Sequence, residues 1–310
     1  MTGIMGQGLA GVLGWMAGLI LWTGPVAAQT VAEVAREIEA QTGGRVGLAV
    51  LDAGKGTGPA WRAGERFAMM STFKPLACAA YLDQSRRAGG REISMVLDAD
   101  AVVAYSPLMA PRTGEVVSGR EACAAALRLS DNTAANILLE LIGGPSALTA
   151  YLRESGDAET RLDRYETALN SALPGDVRDT TTPSALLASY TRHLLGEALS
   201  MEDQDQLIAW MASNQVSRRL LRDQAPATWQ IADRSGAGGE GSRSYVALIR
   251  IEGRAPVILT AFLTQTELDL TARDAVLARL IAAALADIGL HTQAVPTEPV
   301  MLELLPIPQP

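Results

Sequence analysis

The chain carries β-strand patterns near both of its ends and a long block of helical patterns between them. An apolar run at 46–51 predicts a buried strand, and a shorter strand follows near 60–61. Three more strands are predicted near the other end, at 229–234, 243–251 and 256–264. Strands separated by so long a helical block share one core only if the two ends of the chain come together. The sequence therefore predicts an α+β fold in which both ends contribute strands to one sheet.

Helical patterns fill most of the remaining chain. They are predicted at 31–41, 71–86, 119–129, 132–142, 145–154, 183–195, 201–213 and 270–288. With 310 residues, 48% hydrophobic content and 19% charged residues, the chain is able to bury a large core without a partner. Its formal net charge of −8 and the lack of a basic run disfavour binding to a nucleic-acid backbone.

Residues 1–28 have the composition of an export signal. They carry no charged side chain, contain an apolar run at 9–22, and end in the small-residue sequence Val26-Ala27-Ala28. Cleavage after Ala28 would leave Gln29 first, so we expect a signal peptide and a periplasmic or secreted protein. No Lys or Arg precedes the apolar run, which departs from the usual pattern. An uncleaved membrane anchor and a different start codon are therefore the alternatives.

Ser71 and Lys74 are three residues apart in a predicted helix. Residues at this spacing lie about 60° apart around the helix axis, within side-chain reach of each other. Lys74 would give the weak nucleophile Ser71 a proton acceptor or an electrostatic partner. If Ser71 also begins its helix, its backbone N–H has no intrahelical partner and is free to stabilise a developing oxyanion. The pair suits nucleophilic catalysis, although Ser and Lys at this spacing are also common on helix surfaces.

Three more segments follow this pair in order. They are Ser130-Asp131-Asn132, Glu166 with Asn170, and Arg234-Ser235-Gly236. Taken singly, the first is typical of a helix N-cap, the second of a charged surface turn and the third of a flexible turn. Their joint order and spacing favour a single catalytic site, and we expect capping to be a second role of the first segment.

With these motifs the chain resembles the class A serine β-lactamases. Within them it resembles the carbenicillin-hydrolysing subgroup, which has Arg-Ser-Gly where most relatives have Lys-Thr-Gly or Lys-Ser-Gly. The resemblance runs from about residue 31 to residue 290. Besides the motifs above, matching segments include Arg66-Phe67, Tyr105-Ser106-Pro107, Gly143-Gly144-Pro145, Arg161-Leu162-Asp163-Arg164, Asp179-Thr180-Thr181-Thr182-Pro183 and Ala237-Gly238-Gly239.

The resemblance implies a fold and a domain organisation. It implies the serine β-lactamase/D-Ala-D-Ala peptidase-like fold, in which a five-stranded antiparallel sheet flanked by helices lies beside an all-helical lobe, with the active site between them. We expect a single catalytic domain over 29–293, with an α/β lobe built from 29–62 and 216–293 and a helical lobe from 63–215. Residues 294–310 would form a Pro-rich C-terminal tail beyond the usual end of the family.

The resemblance also implies catalytic roles. Ser71 would attack the lactam carbonyl and form an acyl-enzyme, while its N–H and that of Ala237 would form the oxyanion hole. Lys74 or Glu166 would take the hydroxyl proton, and the choice between them stays open. Ser130 would pass a proton to the leaving lactam nitrogen.

Glu166 distinguishes two enzyme classes that share the other motifs. With Asn170 it would hold the water that hydrolyses the ester. A D-alanyl-D-alanine peptidase lacks such a glutamate and would form a long-lived penicilloyl adduct, so Glu166 favours a β-lactamase. A non-catalytic β-lactam sensor is a third alternative, but it would need a transmembrane signalling segment, and the sequence has none after residue 28.

Substrate binding is implied for seven residues. Arg234 is the subgroup's mark, and because a guanidinium stays protonated, it cannot be the acylation base. Its role must be electrostatic, and its charged hydrogen bonds to the ring carboxylate of penicillins would be worth about 1.5 to 3 kcal/mol each. A preference for carbenicillin, which carries a second carboxylate, is implied by the resemblance alone. The expected substrate-binding residues are Tyr105, Asn132, Asn170, Arg234, Ser235, Gly236 and Arg243.

Two pairings are implied as well. Cys78 and Cys123 are the only cysteines, and an exported protein permits the disulfide that some members of the family form between these positions. Two buried free thiols are the alternative. An ion pair between Arg164 and Asp179 would hold the neck of the loop that carries Glu166.

We expect neither a cofactor nor a metal ion. His193 and His291 have no triad or ligand spacing, and both are predicted at the surface. The expected partner is a small-molecule β-lactam, and a monomer is the default for the family.

Overall fold

The computed structural model describes residues 29–293, so the predicted signal peptide and the Pro-rich tail lie outside the described residues. Its helices and strands, in chain order, are α1 (Val31–Thr42), β1 (Arg45–Asp52), β2 (Ala60–Trp61), β3 (Phe67–Ala68), α2 (Lys74–Arg87), β4 (Ser94–Val96), β5 (Val116–Ser118), α3 (Gly119–Arg128), α4 (Asn132–Ile142), α5 (Pro145–Glu154), β6 (Thr180–Thr181), α6 (Pro183–Leu194), α7 (Met201–Ala212), β7 (Gln230–Ala237), β8 (Arg243–Arg250), β9 (Val257–Thr264) and α8 (Leu270–Asp287).

The two ends of the chain meet in one antiparallel sheet with the strand order β2-β1-β9-β8-β7. The N-terminal strand β1 pairs with the C-terminal strand β9 along its whole length, for example Val46 with Leu263. The predicted α+β class and the five-stranded antiparallel sheet are therefore confirmed. The boundaries of the two lobes stay a prediction.

Each face of the sheet packs against its own set of helices, because successive residues of a strand point to opposite sides. On one face, Tyr245, Ala247 and Leu259 join a core with residues of α1 and α8. On the other face, Val246 and Phe262 join a larger core with residues of helices α2 to α7. The edge strand β7 borders this helical part, and a short 3₁₀ turn before α2 packs against β7 and β8.

Several central helices begin with side chains that satisfy their free N–H groups. At α3, Ser118 and Glu121 form a reciprocal capping box. At α4, the Asp131 carboxylate accepts from the N–H of Ala134 at 2.9 Å. The capping role predicted for the Ser130-Asp131-Asn132 segment is confirmed, and Asp131 is the residue that performs it.

Four short strands were not predicted from the sequence. β3 pairs with β6 and β4 pairs with β5, each over two or three residues. Such pairs are too short to show an alternating pattern. The predicted helix at 71–86 also differs in detail, since its first turn is the 3₁₀ turn Met70–Phe73 and the α-helix starts at Lys74.

Cys78 and Cys123 form a disulfide that ties α2 to α3, with their Cα atoms 5.6 Å apart. The pairing implied by the family resemblance is confirmed, and the alternative of two free thiols is wrong. Because α2 follows directly from Ser71, the disulfide braces the helix that supports this serine.

Between residues 29 and 293, no helix is long and apolar enough to cross a membrane.

The predicted surface position is wrong for His193, which is fully buried in α6. Its Nδ1 lies 2.7 Å from the Ser189 carbonyl oxygen and its Nε2 lies 3.0 Å from the Tyr151 hydroxyl. Burial lowers the pKa of His193 below its usual value. His291 is exposed, as predicted.

Candidate active site

Ser71 lies where the 3₁₀ turn Met70–Phe73 leads into α2, between the sheet and the helices. Met70 has a left-handed φ of 51°, which is unfavourable for a residue with a long side chain. The turn is held against the sheet by Ser244, whose hydroxyl donates to the Met69 carbonyl at 2.7 Å. The surrounding packing therefore fixes Ser71 in a backbone position that the segment would rarely adopt alone.

Strand β7 passes very close to the backbone of Ser71. A Cβ atom on Gly236 would lie 2.6 Å from the Ser71 nitrogen and 2.7 Å from the Ser244 hydroxyl, closer than real Cβ contacts. The position therefore requires glycine. Ala237 is the next residue and ends β7 beside the same cavity.

The Lys74 side chain is fully buried among polar groups. Its Nζ donates to the Ser130 carbonyl at 2.9 Å, to the Ser130 hydroxyl at 3.2 Å and to Asn132 Oδ1 at 2.7 Å. It also forms an ion pair with Glu166 Oε1 at 3.1 Å. The Ser130 hydroxyl in turn donates to Ser71 Oγ at 3.1 Å. Hydrogen bonds thus connect Lys74 to Ser71 through Ser130.

Burial lowers the pKa of Lys74 to about 8, although the negative charge of Glu166 opposes this shift. A lysine with this pKa is mostly protonated at neutral pH, with a neutral fraction of about one tenth. The neutral fraction of Lys74 is therefore able to accept a proton near physiological pH, whereas an exposed lysine has an appreciable neutral fraction only at much higher pH.

The segment that carries Tyr105 is fastened to the start of α4. The second oxygen of Asp131 accepts from the N–H groups of Leu108 and Met109 at 2.8 and 3.0 Å, and the Asn132 N–H donates to the Tyr105 carbonyl at 3.0 Å. The Tyr105 side chain remains 58% exposed and lines the cavity. The capping residue therefore also positions the outer wall of the site.

Glu166 is held from both its backbone and its side chain. The Asn136 side chain accepts from the Glu166 N–H at 2.9 Å and donates to its carbonyl at 3.0 Å. Asn170 Nδ2 donates to Glu166 Oε2 at 2.5 Å. Asn170 Oδ1 is buried and accepts no hydrogen bond from a described residue. Glu166 and Asn170 therefore present adjacent acceptor atoms beside Lys74.

The predicted ion pair at the neck of the 164–179 loop is present. Arg164 Nε donates to Asp179 Oδ2 at 2.6 Å, and the Asp179 side chain is fully buried. The other oxygen of Asp179 accepts from the backbone N–H groups of Asp163 and Arg164 at 2.7 and 2.9 Å. One carboxylate thus closes the base of the loop that carries Glu166.

Arg234 is almost completely buried, and it forms no ion pair with a described carboxylate. Its Nη1 donates to the Leu127 carbonyl at 3.2 Å and to Asn214 Oδ1 at 3.3 Å, while Nε donates to the Ser235 carbonyl at 3.1 Å. Burial, assisted by the charge of Arg243, lowers the pKa of Arg234 to about 10. The guanidinium therefore stays positively charged at neutral pH.

Arg243 differs from Arg234 because its charge is already paired. Its Nε donates to Asp274 Oδ1 at 2.6 Å, and its Nη1 donates to the Gly236 carbonyl at 3.1 Å. The two arginines border the same cavity, but only Arg234 brings an uncompensated charge to it.

A cavity of about 360 Å³ brings most of the predicted site residues together. Those that line it are Ser71, Tyr105, Ser130, Asn132, Asn170, Arg234, Ser235, Gly236, Ala237 and Arg243. Lys74 and Glu166 do not line it but lie behind its wall, joined to Ser130 and Asn170. Among residues 29–293, no group of three or more His, Cys, Asp or Glu side chains is suited to hold a metal ion.

Three lining residues were not predicted from the sequence, namely Val216, Leu270 and Asp274. Asp274 did have a signal. It lies on the same helical stripe as the buried residues Leu277, Ala278 and Ile281, and a carboxylate on a buried stripe usually has a partner or a function.

Comparisons with known proteins identify the family of the chain. A family model described as "Beta-lactamase enzyme family" matches residues 28–288. The β-lactamases PSE-1 and CARB-3 of Pseudomonas aeruginosa are each 42% identical over 247 residues, which cover 79% of this chain and 86% of each relative. The structure of an ancestral class A β-lactamase superposes with a TM-score of 0.78 at 45% identity, covering 81% of this chain and 98% of that one.

Proposed function

Because the chain belongs to the β-lactamase enzyme family, as a class A serine β-lactamase of the carbenicillin-hydrolysing group, we propose that Ser71 is its nucleophile and that Glu166 drives hydrolysis of the resulting ester. The protein hydrolyses penicillins and so confers antibiotic resistance. The observation that carries the proposed roles is the buried Glu166, paired with Lys74 at 3.1 Å and bonded to Asn170 at 2.5 Å. The D-alanyl-D-alanine peptidase alternative is not favoured.

Acylation begins with loss of the Ser71 hydroxyl proton. Lys74 donates to the Ser130 hydroxyl, which donates to Ser71 Oγ, and Lys74 is also ion-paired with Glu166. Both candidate bases therefore lie on one connected path, and the lowered pKa of Lys74, about 8, suits a group that passes a proton along it. As the lactam C–N bond breaks, Ser130 delivers a proton to the nitrogen.

The developing oxyanion is bound by two backbone N–H groups, those of Ser71 and Ala237. The close approach of Gly236 to the Ser71 nitrogen supports this assignment, since it brings the end of β7 next to the nucleophile. The contacts that hold the turn at Met70 against the sheet, among them the bond from Ser244 to Met69, keep the serine in place during the reaction.

Deacylation requires a water molecule beside the ester. Glu166 takes a proton from this water, and Asn170 helps to hold it, since Asn170 Oδ1 is a buried acceptor without a bond to any described residue. The Asn136 clamp and the Arg164–Asp179 pair keep Glu166 in position.

Substrate binding depends on charge and on the cavity wall. Arg234, with Ser235, binds the ring carboxylate of a penicillin, and Asn132 binds the side-chain amide. Arg243 acts from the same wall, but its pairing with Asp274 leaves most of the electrostatic attraction to Arg234. Tyr105 covers the bound drug from outside.

We further propose that the chain is exported to the periplasm with residues 1–28 as its signal peptide, and that the mature protein is a monomer. A single catalytic domain over 29–293, with its α/β and helical lobes, stays part of this proposal. Intact mass of the mature protein and its elution in size-exclusion chromatography test the cleavage site and the oligomeric state.

The Glu166 assignment is tested by mixing the protein with carbenicillin and following intact mass and lactam absorbance together. We expect the native protein to consume the drug without a lasting adduct. Glu166→Ala should accumulate a one-drug adduct, with deacylation slowed by at least about a hundredfold. Glu159→Ala is the matched control, since Glu159 lies near the same loop but is exposed and pairs with Arg66. Normal turnover by Glu166→Ala would show that the glutamate has been given the wrong role.

A further inference from the structure

A second cavity, of about 330 Å³, lies under the outer half of the 164–179 loop. One wall comes from Arg45 of β1 and from 65–68, and the other comes from loop residues 172–178. It shares no lining residue with the catalytic cavity. The proposed mechanism gives this space no role.

The lining of this second cavity is rich in arginine for a protein with a net charge of −8. Four arginines line it, and they are Arg45, Arg66, Arg164 and Arg178. Only two carboxylates, Glu65 and Asp176, line it with them. Each arginine is paired with a carboxylate, and two of these carboxylates, Glu159 with Arg66 and Asp179 with Arg164, lie outside the lining. The local charge is therefore balanced, and what the cavity offers to an anion is guanidinium N–H groups that are not hydrogen-bonded to a described residue.

The guanidinium groups are held in place but not saturated with hydrogen bonds. Arg45 donates to Glu65 and to the Arg66 carbonyl, both at 2.9 Å, and its guanidinium carbon lies 4.2 Å from the centre of the Phe67 ring. Its Nε donates to no described residue.

Arg164 is the clearest case. Its Nε donates to Asp179, but neither terminal nitrogen donates a hydrogen bond to a described residue, and Nη2 lies 3.8 Å from an oxygen of the Asp176 carboxylate. The neck of the loop therefore offers free, charged donors to the cavity.

From these features we propose that the cavity is a binding site for a small dianion, a molecule with phosphate or paired carboxylate groups. Arginine forks match such groups in shape as well as charge. The volume is at the lower end of the range for small-molecule sites. Because the arginines surround a concave space, the site suits a free anion better than a phosphate in a flat lipid surface.

Occupancy of this site would reach the catalytic loop directly. Arg164 lies two residues before Glu166, and the loop wall at 172–178 begins two residues after Asn170. An anion bridging β1 and this wall would tie the loop to the sheet and stabilise the folded protein, because a ligand stabilises the state that it binds. The effect on deacylation depends on the proposed roles of Glu166 and Asn170, whereas the binding site does not.

Inorganic pyrophosphate is the probe, titrated calorimetrically at constant ionic strength maintained with sodium chloride. We expect saturable binding at one site and a rise in the unfolding temperature. Arg178→Gln and Arg45→Gln should each weaken binding by about tenfold or more, since each removes charged donors. Arg218→Gln is the matched control, because Arg218 is likewise ion-paired, with Asp223 at 3.0 Å, but lies outside the cavity.

Circular dichroism checks that each variant is folded. Because Arg178 is half exposed, Arg178→Gln is expected to disturb the fold less than Arg45→Gln. Equal affinity in all four proteins, or no saturable binding to the native protein, overturns the proposal. So does binding to phosphatidylglycerol vesicles without binding to pyrophosphate, which would assign the arginines to a membrane surface. If pyrophosphate binds at the site but leaves the lifetime of the acyl-enzyme unchanged, only the coupling to the loop is refuted.

Discussion

Asp179→Asn tests how far the catalytic loop depends on a single buried charge. Asparagine has nearly the same shape as aspartate, and both tolerate the left-handed φ of 56° at this position. Only the charge and one acceptor change. The amide must place its NH₂ group either against Arg164 Nε or against the backbone N–H groups of Asp163 and Arg164. In either orientation a donor faces a donor.

The magnitude follows from burial. Removing one half of a buried ion pair costs about 3 to 5 kcal/mol, because the remaining charge loses its partner. Asp179 is fully buried, but Arg164 is 20% exposed and gains some hydration when it is released. We therefore expect the free energy of unfolding to fall by about 3 kcal/mol, at the lower end of that range.

Urea unfolding followed by circular dichroism measures this change, and the lifetime of the carbenicillin adduct measures its effect on the loop. We expect a longer-lived adduct, since displacement of the neck moves Glu166 from the ester. Asp176→Asn is the matched control, because Asp176 is in the same loop and pairs with Arg178 at the surface. Its effect on stability should be much smaller. If Asp179→Asn unfolds within about 0.5 kcal/mol of the native protein, the charge does not hold the neck.

Two further substitutions test Arg234 in the catalytic cavity and the buried His193. Arg234→Lys keeps the charge but loses the hydrogen bonds that Arg234 donates to Leu127 and Asn214. We expect kcat/KM for carbenicillin to fall about tenfold, and kcat/KM for ampicillin to fall less. Equal losses for the two drugs would contradict a role of Arg234 in specificity. Burial lowers the pKa of His193, so the unfolded chain takes up its proton first as the pH falls. The free energy of unfolding should therefore decrease below about pH 6.5. Urea unfolding at several pH values should show a smaller decrease for His193→Gln and an unchanged decrease for the exposed control His291→Gln.

Much of the fold follows from local sequence patterns because its long elements have strong periodicity. The apolar runs of β1, β8 and β9 are buried on both faces of the sheet, and such strands are recognised without knowledge of their partners. The short strands β3 to β6 could not be predicted, because each consists of only two or three residues paired with a strand that is distant in sequence.

The same distinction applies to individual side chains. His193 lies on the stripe of α6 that also carries the buried residues Leu186, Ser189 and Tyr190, so its burial could have been inferred from helical spacing. Its partner Tyr151 lies 42 residues away and could not. Likewise, Asp274 could be recognised as unusual on its stripe, but its pairing with Arg243 depends on how α8 lies across the sheet.

Such long-range pairings decide the charge of the catalytic cavity. Lys74 is neutralised by Glu166 and Arg243 by Asp274. Asp233, the sequence neighbour of Arg234, is bonded to Arg222 and Tyr245. Arg234 is thus left with neutral partners and keeps its full charge. Within residues 29–293, Arg234 is thus a buried cation without an ion-pair partner, in a protein whose net charge is −8. Its motif pointed to Arg234 as the residue that binds the drug's carboxylate, but the sequence alone could not show that its neighbours' charges are paired elsewhere.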